Sequence, residues 1–358
     1  MTGSPPPSGT HATPPTAPGT AAGRAPTDSA TARAYPNLAL VKYWGKRDEE
    51  LILPVAGSLS LTLDAFATTT TVQLDPGAGE DRFELNGHLV TGTASDRVRA
   101  FLDLVRSRAG SADHASVRSV NEAPTGAGLA SSAAGFAALA TAASAAYGLD
   151  LDAPALSRLA RRGSGSAARS VIGNVALWHA GTDDATSFAE EVPAPELAMV
   201  VTTVDSAAKA VSSREAMRRT ARTSPYFIAW ITSTETSLTE MVAACRAGDF
   251  ARIGEITESH ALRMHALIAS TEPPIRYLQP RSIEVLDAVV ALREAGIEAY
   301  STADAGPNVA VLTRPADAAR VASRLGEIVG ESRVRVVGPG PGAHLVDDAV
   351  PPVGEASS

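Results

Sequence analysis

The sequence predicts an α+β chain of two domains, with an active site in the cleft between them. Three observations carry this. The 358 residues, 44% of them hydrophobic, suffice for one large or two ordinary cores. Short strand-like runs prevail as far as about Asp205, and long helical runs prevail beyond it. A Gly-rich loop, Pro124-Thr-Gly-Ala-Gly-Leu-Ala-Ser-Ser-Ala-Ala-Gly135, leads into an Ala-rich helical run ending at Tyr147. The expected division is a disordered Pro/Gly/Ala-rich extension over 1–31, an N-terminal domain over 32–205, a C-terminal domain over 206–348 and a disordered tail over 349–358.

Each element has a local reason. Residues 1–30 hold seven of the 24 prolines among Gly, Ala, Ser and Thr, a mixture that cannot build a core. They also lack the apolar stretch of a secretory signal. Residues 32–41 read as a strand interrupted at Pro36-Asn37. Residues 59–74 alternate apolar and Thr positions, which fits one or two strands. Residues 83–90 form a hairpin that turns at Asn86-Gly87. An amphipathic helix over 95–108 and a strand over 115–121 then lead into the Gly loop. A short helix over 153–162 and strands over 173–179 and 197–204 follow. Past Asp205 come helices over 213–222, 225–248, 250–265 and 282–295, with Ser224 and Pro225 as N-cap and first residue of the second. Strands over 298–303 and 308–313, a helix over 316–329 and a strand over 333–337 complete the chain.

Composition excludes several functions. A net charge of −8 argues against a nucleic-acid or anionic-membrane partner, while leaving room for a local basic pocket. No run approaches ~18–20 strongly apolar residues, so no membrane-spanning helix is expected. The single Cys245 rules out an internal disulfide and fits a reducing cytoplasm. His260 and His265 are five apart, not the i, i+4 spacing of a helical zinc pair.

The Gly loop carries the chemistry. Glycine lets a backbone approach a ligand closely, and a helix N-terminus presents unpaired N–H groups and partial positive charge to an anion. Ser131 and Ser132 add hydroxyls for a phosphate oxygen or Mg²⁺, so a nucleoside triphosphate cradle is the economical reading. A plain turn before a helix is the alternative. No Lys follows the last Gly as in G-x-x-x-x-G-K-[ST], and no acid at a strand end completes a dinucleotide fingerprint. Other segments are ambiguous singly. Lys42 and Lys46 flank Tyr43 and Trp44, in what could otherwise be a solvated turn. Ser58 heads a strand. The run Arg161-Arg-Gly-Ser164-Gly165-Ser166-Ala-Ala-Arg169 combines hydroxyls, glycines and guanidinium groups suited to a diphosphate. Asp304 sits in a Gly-Pro turn between two strands, where it also suits a loop-fixing role. In Lys209-Ala-Val-Ser212-Ser213-Arg214, a helix cap and an anion contact are compatible readings.

The pattern P-x-G-x-G-L-x-S-S is similar to the signature of the galactokinase/homoserine kinase/mevalonate kinase superfamily. Together the segments resemble the diphosphomevalonate decarboxylase family, from about Ala34 to Leu345. That resemblance implies the two-domain small-molecule kinase fold, ATP and Mg²⁺ as cofactors, a mevalonate-derived diphosphate as substrate, and a cytoplasmic homodimer. It implies a catalytic group of Asp304, Lys42, Ser58 and Arg169: Asp304 faces the substrate 3-hydroxyl, Lys42 keeps it ionised, Ser58 lies beside that pair, and Arg169 holds the carboxylate. It further implies ATP contacts from Pro124, Gly126, Gly128, Leu129, Ala130, Ser131 and Ser132, with Ser132 also a contact for Mg²⁺. Substrate contacts fall to Tyr43, Lys46, Ser164, Gly165, Ser166, Arg169, Ser213 and Arg214. The sequence departs from the family pattern at Ala168, Asn174, His260, Leu267 and residues 206–208, some of them expected in the pocket. A related substrate such as 5-phosphomevalonate, or a ligand-binding paralogue without activity, are the alternatives.

Overall fold

The computed structural model describes residues 27–122, 131–205, 207 and 209–350. The first unit of chain runs β1 (Ser29–Ala34), β2 (Asn37–Val41), β3 (Lys46–Asp48), β4 (Leu53–Pro54), β5 (Ser58–Thr62), β6 (Thr68–Asp75), β7 (Arg82–Leu85), β8 (His88–Leu89), α1 (Thr93–Ala109) and β9 (His114–Asn121). It continues through α2 (Ser131–Ala146), α3 (Ala153–Gly163), α4 (Ala167–Ser170), β10 (Val175–Trp178), β11 (Ala189–Glu191) and β12 (Ala198–Thr202). Four long helices follow, α5 (Ser213–Thr223), α6 (Phe227–Ala247), α7 (Phe250–Ala269) and α8 (Pro280–Glu294). The chain closes with β13 (Ala299–Thr302), β14 (Ala310–Thr313), α9 (Ala318–Val329), β15 (Val334–Val337) and β16 (His344–Val346).

Breaks in the strand pattern are where the chain changes sheets. Pro36 has no N–H to continue a ladder, and there β1 and β2 part into different sheets. β1 joins a six-stranded sheet of order β16-β1-β6-β9-β7-β8, and β2 edges a four-stranded sheet of order β11-β10-β5-β2. β5 and β6 divide the same way, with Phe66 at φ 65 in the corner between them. The Asn86-Gly87 turn takes φ 50 and φ 78, as a type I′ hairpin turn requires. A third sheet, β13-β14-β12-β15, belongs to the second half of the fold. β12 precedes the division expected near residue 205, yet its ladder partners are β14 and β15, while β16 returns to pair with β1.

Helix α2 is apolar on every side and therefore interior. Its alanines 133, 134, 137, 138, 140, 142, 143 and 146 are buried, and their small side chains let the helix lie close on β1 and β6. A second core joins the two halves: Leu40, Leu59 and Leu61 pack with Met199, Leu312, Met241 and Ile253. α8 and α9 cover the other face of the third sheet through Val289, Val321 and Leu325. A fourth cluster, with Trp44, Trp230 and Met264, encloses the segment after β2.

One expected cap is corrected. Ser224 closes α5, its N–H bonded to the Thr220 carbonyl at 3.0 Å, and its hydroxyl bonds Ser270 Oγ at 2.7 Å. With Ser224 so engaged, α6 begins at Phe227 behind Tyr226. Strands β3, β4, β11 and β16 had no counterpart in the sequence reading, because runs of two or three residues are too short to show a period.

Candidate active site

Two strand ends meet at the centre of the molecule. Lys42 follows β2 and Asp304 follows β13, and the Lys42 Nζ donates to Asp304 Oδ1 at 2.7 Å. The Lys42 side chain is 1% exposed and that of Asp304 28%, so the carboxylate is the member open to the cleft. Burial by itself would raise the Asp304 pKa. The neighbouring charges of Lys42, Lys209 and Arg169, with the Lys42 hydrogen bond, reverse this and hold the group below the ordinary carboxylate range. Burial likewise draws Lys42 below the ordinary lysine range, opposed by Asp304.

Arg169 is fixed from below. Its Nε donates to Ser60 Oγ (2.9 Å), Nη1 to Ser58 Oγ (2.5 Å) and Nη2 to Asn37 Oδ1 (3.0 Å). A guanidinium has five N–H groups, so this anchoring leaves donors for a ligand. Burial lowers its pKa to about 10, still charged at neutral pH, with Asp304 acting in the opposite sense. Ser58 is fully buried under Arg169 and is not part of the cleft wall. It orients the guanidinium without facing the cleft.

Hydroxyls and further cations line the rest. Ser132, at the start of α2, lies 3.3 Å from Ser164 Oγ, which lies 3.4 Å from Ser166 Oγ. Tyr43 packs edge-on to Trp178 at 4.8 Å, and its hydroxyl is buried with no partner among the described residues. Burial, foremost, pushes that hydroxyl's pKa above its ordinary value, so it is a neutral donor. Gly165 must lack a side chain, since a Cβ there would stand 2.8 Å from the Tyr43 hydroxyl. Ser213 and Arg214 open α5 behind its N-cap Ser212, whose side chain accepts from the Glu215 N–H. Lys46 is tied to Glu49 at 2.9 Å.

These residues surround one cavity of about 510 Å³. Among the described residues six cations line it, Lys42, Lys46, Arg97, Arg169, Lys209 and Arg214, against Asp304 as the single lining acid. In a chain of net charge −8 this is a local reversal that selects an anionic ligand. Among the described residues no three His, Cys, Asp or Glu side chains come together to hold a metal. The cleft, with the Ser132 hydroxyl on its wall, therefore fits Mg²⁺ carried on nucleotide phosphates rather than a metal held by the protein alone.

Of the sequence-predicted site residues, Lys42, Tyr43, Lys46, Ser132, Ser164, Gly165, Ser166, Arg169, Ser213, Arg214 and Asp304 converge on the cavity. Pro124, Gly126, Gly128, Leu129 and Ala130 lie outside the described residues, as does the Ser131 side chain. Asn37, Arg97 and Lys209 line the cavity without having been assigned to the site. Arg97 is on an ordinary amphipathic helix and Asn37 on a buried strand, so neither carried a local signal. Lys209 stood in a segment that read equally as a helix cap. Among the departures from the family pattern, only Ala207 lines the cavity within the described residues. Asn174 instead serves the backbone, at φ 52, a left-handed conformation Asn tolerates. Ala168, His260 and Leu267 are buried in helices.

Comparison with known proteins agrees with this geometry. Residues 34–189 match the family model of the diphosphomevalonate decarboxylase-like N-terminal domain, and residues 199–336 that of the mevalonate 5-diphosphate decarboxylase C-terminal domain. The solved complex of MDDEF with MVAPP, AMPPCP and magnesium is 46% identical, with a TM-score of 0.85, covering 89% of this chain and 99% of that one. Diphosphomevalonate decarboxylase of Homo sapiens is 37% identical over 80% of this chain and 77% of its own length. Phosphomevalonate decarboxylase of Haloferax volcanii is 34% identical over 89% of this chain and 98% of its own.

Proposed function

The chain belongs to the diphosphomevalonate decarboxylase family, and from that premise we propose how its cleft carries out the reaction. The enzyme converts (R)-5-diphosphomevalonate and ATP to isopentenyl diphosphate, ADP, phosphate and CO₂. The observation that carries the assignment of roles is the Lys42–Asp304 pair, 2.7 Å apart beside Arg169 in a cleft of six cations.

Asp304 orients the substrate 3-hydroxyl and takes its proton as the oxygen attacks the γ-phosphate. Lys42 keeps that carboxylate ionised. Arg169, with its anchored fork, holds the substrate carboxylate. The Tyr43 hydroxyl, Lys46, Ser164, Ser166, Ser213 and Arg214 bind the diphosphate, and Gly165 leaves room for Tyr43. Ser132 and the α2 N-terminus face the nucleotide phosphates, and the family resemblance assigns the remaining ATP contacts to Pro124, Gly126, Gly128, Leu129, Ala130 and Ser131. Lys209 and Arg97 add positive charge where the transferred phosphoryl group accumulates negative charge. Mg²⁺, when bound with the nucleotide, supplies further neutralisation of the phosphate oxygens.

The second half of the reaction breaks the C3–O bond, whose electrons leave with phosphate. The C1–C2 bonding pair then becomes the C2–C3 double bond as CO₂ departs. A tertiary C3 tolerates the positive charge, and the wall must not trap it. No cysteine or histidine lines the cavity among the described residues, and Cys245 is buried in α6, where burial pushes its thiol up to about 11. A cytoplasmic homodimer belongs to the same reading, supported by the lone buried cysteine and by the exposed Tyr226 and Ile228 at the start of α6.

Likeness to the Haloferax volcanii enzyme supports a second reading, the same reaction on 5-phosphomevalonate. The number of cations and hydroxyls in the cleft favours the diphosphate. Product analysis with ATP, Mg²⁺ and each substrate decides between them. One CO₂, one ADP and one phosphate per isopentenyl diphosphate are expected with the diphosphate. ADP without CO₂ would make the protein a kinase.

A further inference from the structure

Lys42 stands one residue past β2, in a position only 2% exposed, where its N–H has no ladder partner. That N–H donates to Nδ1 of His260 on α7, 3.1 Å away. His260 is fully buried, and burial foremost, with Arg263 and Lys42 adding, holds its pKa at about 3, so the ring is neutral. A neutral ring that accepts at Nδ1 carries its proton at Nε2. Nε2 donates to Thr234 Oγ1 at 3.2 Å, and the Thr234 hydroxyl in turn donates to the Trp230 carbonyl at 2.7 Å. The ring also lies against Trp230, centroids 4.6 Å apart. Every polar atom of the imidazole is thus committed to one orientation.

The same helix reaches the other member of the pair. Glu258 accepts from the Ser301 N–H and hydroxyl, each at 2.8 Å, and Ser301 lies on the strand that delivers Asp304. Arg293 fixes Glu258 with two bonds of 3.0 and 2.6 Å. One α-helix therefore holds, two residues apart, the strand end that carries Lys42 and the strand that leads to Asp304.

We propose that α7 is a brace that sets the Lys42–Asp304 contact, with His260 the positioning residue for Lys42 through its δ-nitrogen and Glu258 holding the opposite strand. His260 lines no part of the cavity and acts only through the Lys42 backbone. This rests on Lys42 and Asp304 being the reacting pair. The geometry gives it a specific chemical form: what matters at position 260 is an acceptor at the δ position, not an imidazole or a charge.

The test compares His260→Asn, which keeps a δ-acceptor in Oδ1, with His260→Leu, which keeps much of the bulk and removes the acceptor. Steady-state rates are measured per folded site over a range of pH, with Asp304→Asn alongside. His260→Leu is expected to lower kcat by about 10–100-fold, the scale of a sub-ångström to one-ångström misplacement, with the KM for ATP unchanged. Its acid limb should move up toward the ordinary carboxylate range as Lys42 withdraws. The groups facing Asp304 are Lys42 after β2, Lys209 before α5, Arg169 on α4 and His265 on α7, and only the first is displaced by this change. His260→Asn should keep both kcat and the acid limb, which a purely structural role would not require. Thr234→Val offers a second route: it removes the acceptor that holds Nε2, frees the ring to turn its δ-nitrogen away from the Lys42 N–H, and should lower kcat in the same direction. The brace is refuted if folded His260→Leu keeps the wild-type rate and acid limb, if His260→Asn is as impaired as His260→Leu, or, should His260→Leu not fold, if Thr234→Val is unaffected. An active Asp304→Asn would overturn the reading of the pair itself, while an inactive one beside an unaffected His260→Leu would overturn the brace alone.

Discussion

Asp304→Asn removes one charge and almost no volume, so it separates the chemical from the structural consequence of the Lys42–Asp304 contact. A positioned base contributes about 10²–10⁴ in rate, and kcat should fall by at least that range's lower end. ATP and substrate should still bind, because the anion-holding cations are untouched. The structural cost follows from Lys42, whose side chain is 1% exposed and loses its counter-charge. Unpairing a fully buried ion pair costs about 3–5 kcal/mol. Here Asp304 is 28% exposed, and Asn Oδ1 still accepts from Nζ, so about 2–3 kcal/mol is expected. The cost has a sign in pH. Burial already lowers the Lys42 pKa, and without Asp304 it falls further. Below that folded value the charged, unpaired lysine bears its full penalty. As pH rises through it, the native state sheds the proton while the unfolded chain keeps it to about 10.4, so the deficit relative to wild type narrows. Denaturant unfolding at neutral and alkaline pH, with CO₂ and ADP release from the same samples, measures both effects. A kcat within about tenfold of wild type would refute the assigned role. A stability deficit that stays constant with pH would refute the account of Lys42.

Further outcomes follow from the same geometry. On the proposed role of Arg169, Arg169→Ala removes two charge-assisted bonds to the substrate carboxylate, about 3–4 kcal/mol, so kcat/KM for the diphosphate should drop about 10²–10³-fold while nucleotide affinity, measured by calorimetry, barely changes. Gly165→Ala puts a methyl 2.8 Å from the Tyr43 hydroxyl and should raise the KM of the substrate more than that of ATP; equal effects on both would mean that Tyr43 faces the nucleotide. The pH–rate profile should have no histidine limb from His260 or His265, which burial foremost holds at about 3 and about 4. Activity should fall at acid pH as Asp304 protonates, below the ordinary carboxylate range, and at alkaline pH as Lys42 deprotonates, below the ordinary lysine range.

The sequence carried most of the site because phosphate chemistry leaves compact local marks. Lys42-Tyr43-Trp44, Ser164-Gly165-Ser166 and the turn at Asp304 each place several anion-binding groups within a few residues, and all reach the cavity. Arg97 and Asn37 left no such mark, since a lone Arg on an amphipathic helix and a lone Asn on a strand have ordinary surface and core explanations. Ser58 was legible as a residue of interest but not as a support: only the 2.5 Å contact beneath Arg169 reveals which way its hydroxyl works. His260 was visible only as half of a histidine pair with the wrong spacing for zinc and as a departure from a pattern, and its bond to the Lys42 backbone spans 218 residues.

By itself the sequence determined the α+β class, the positions of the long helices and strands, and the anion-binding character of the cleft. Hydrophobic period, Pro and Gly breaks and local charge are short-range properties, readable over a few residues. Only the tertiary structure decided the sheet membership of β12 and β16, the pairing of Lys42 with Asp304 and the hold of α7 on both. Those depend on contacts between residues far apart in the chain, fixed by the shared core that buries Leu40, Leu59, Met199 and Leu312 together, and no local rule encodes which distant groups that packing brings within bonding distance.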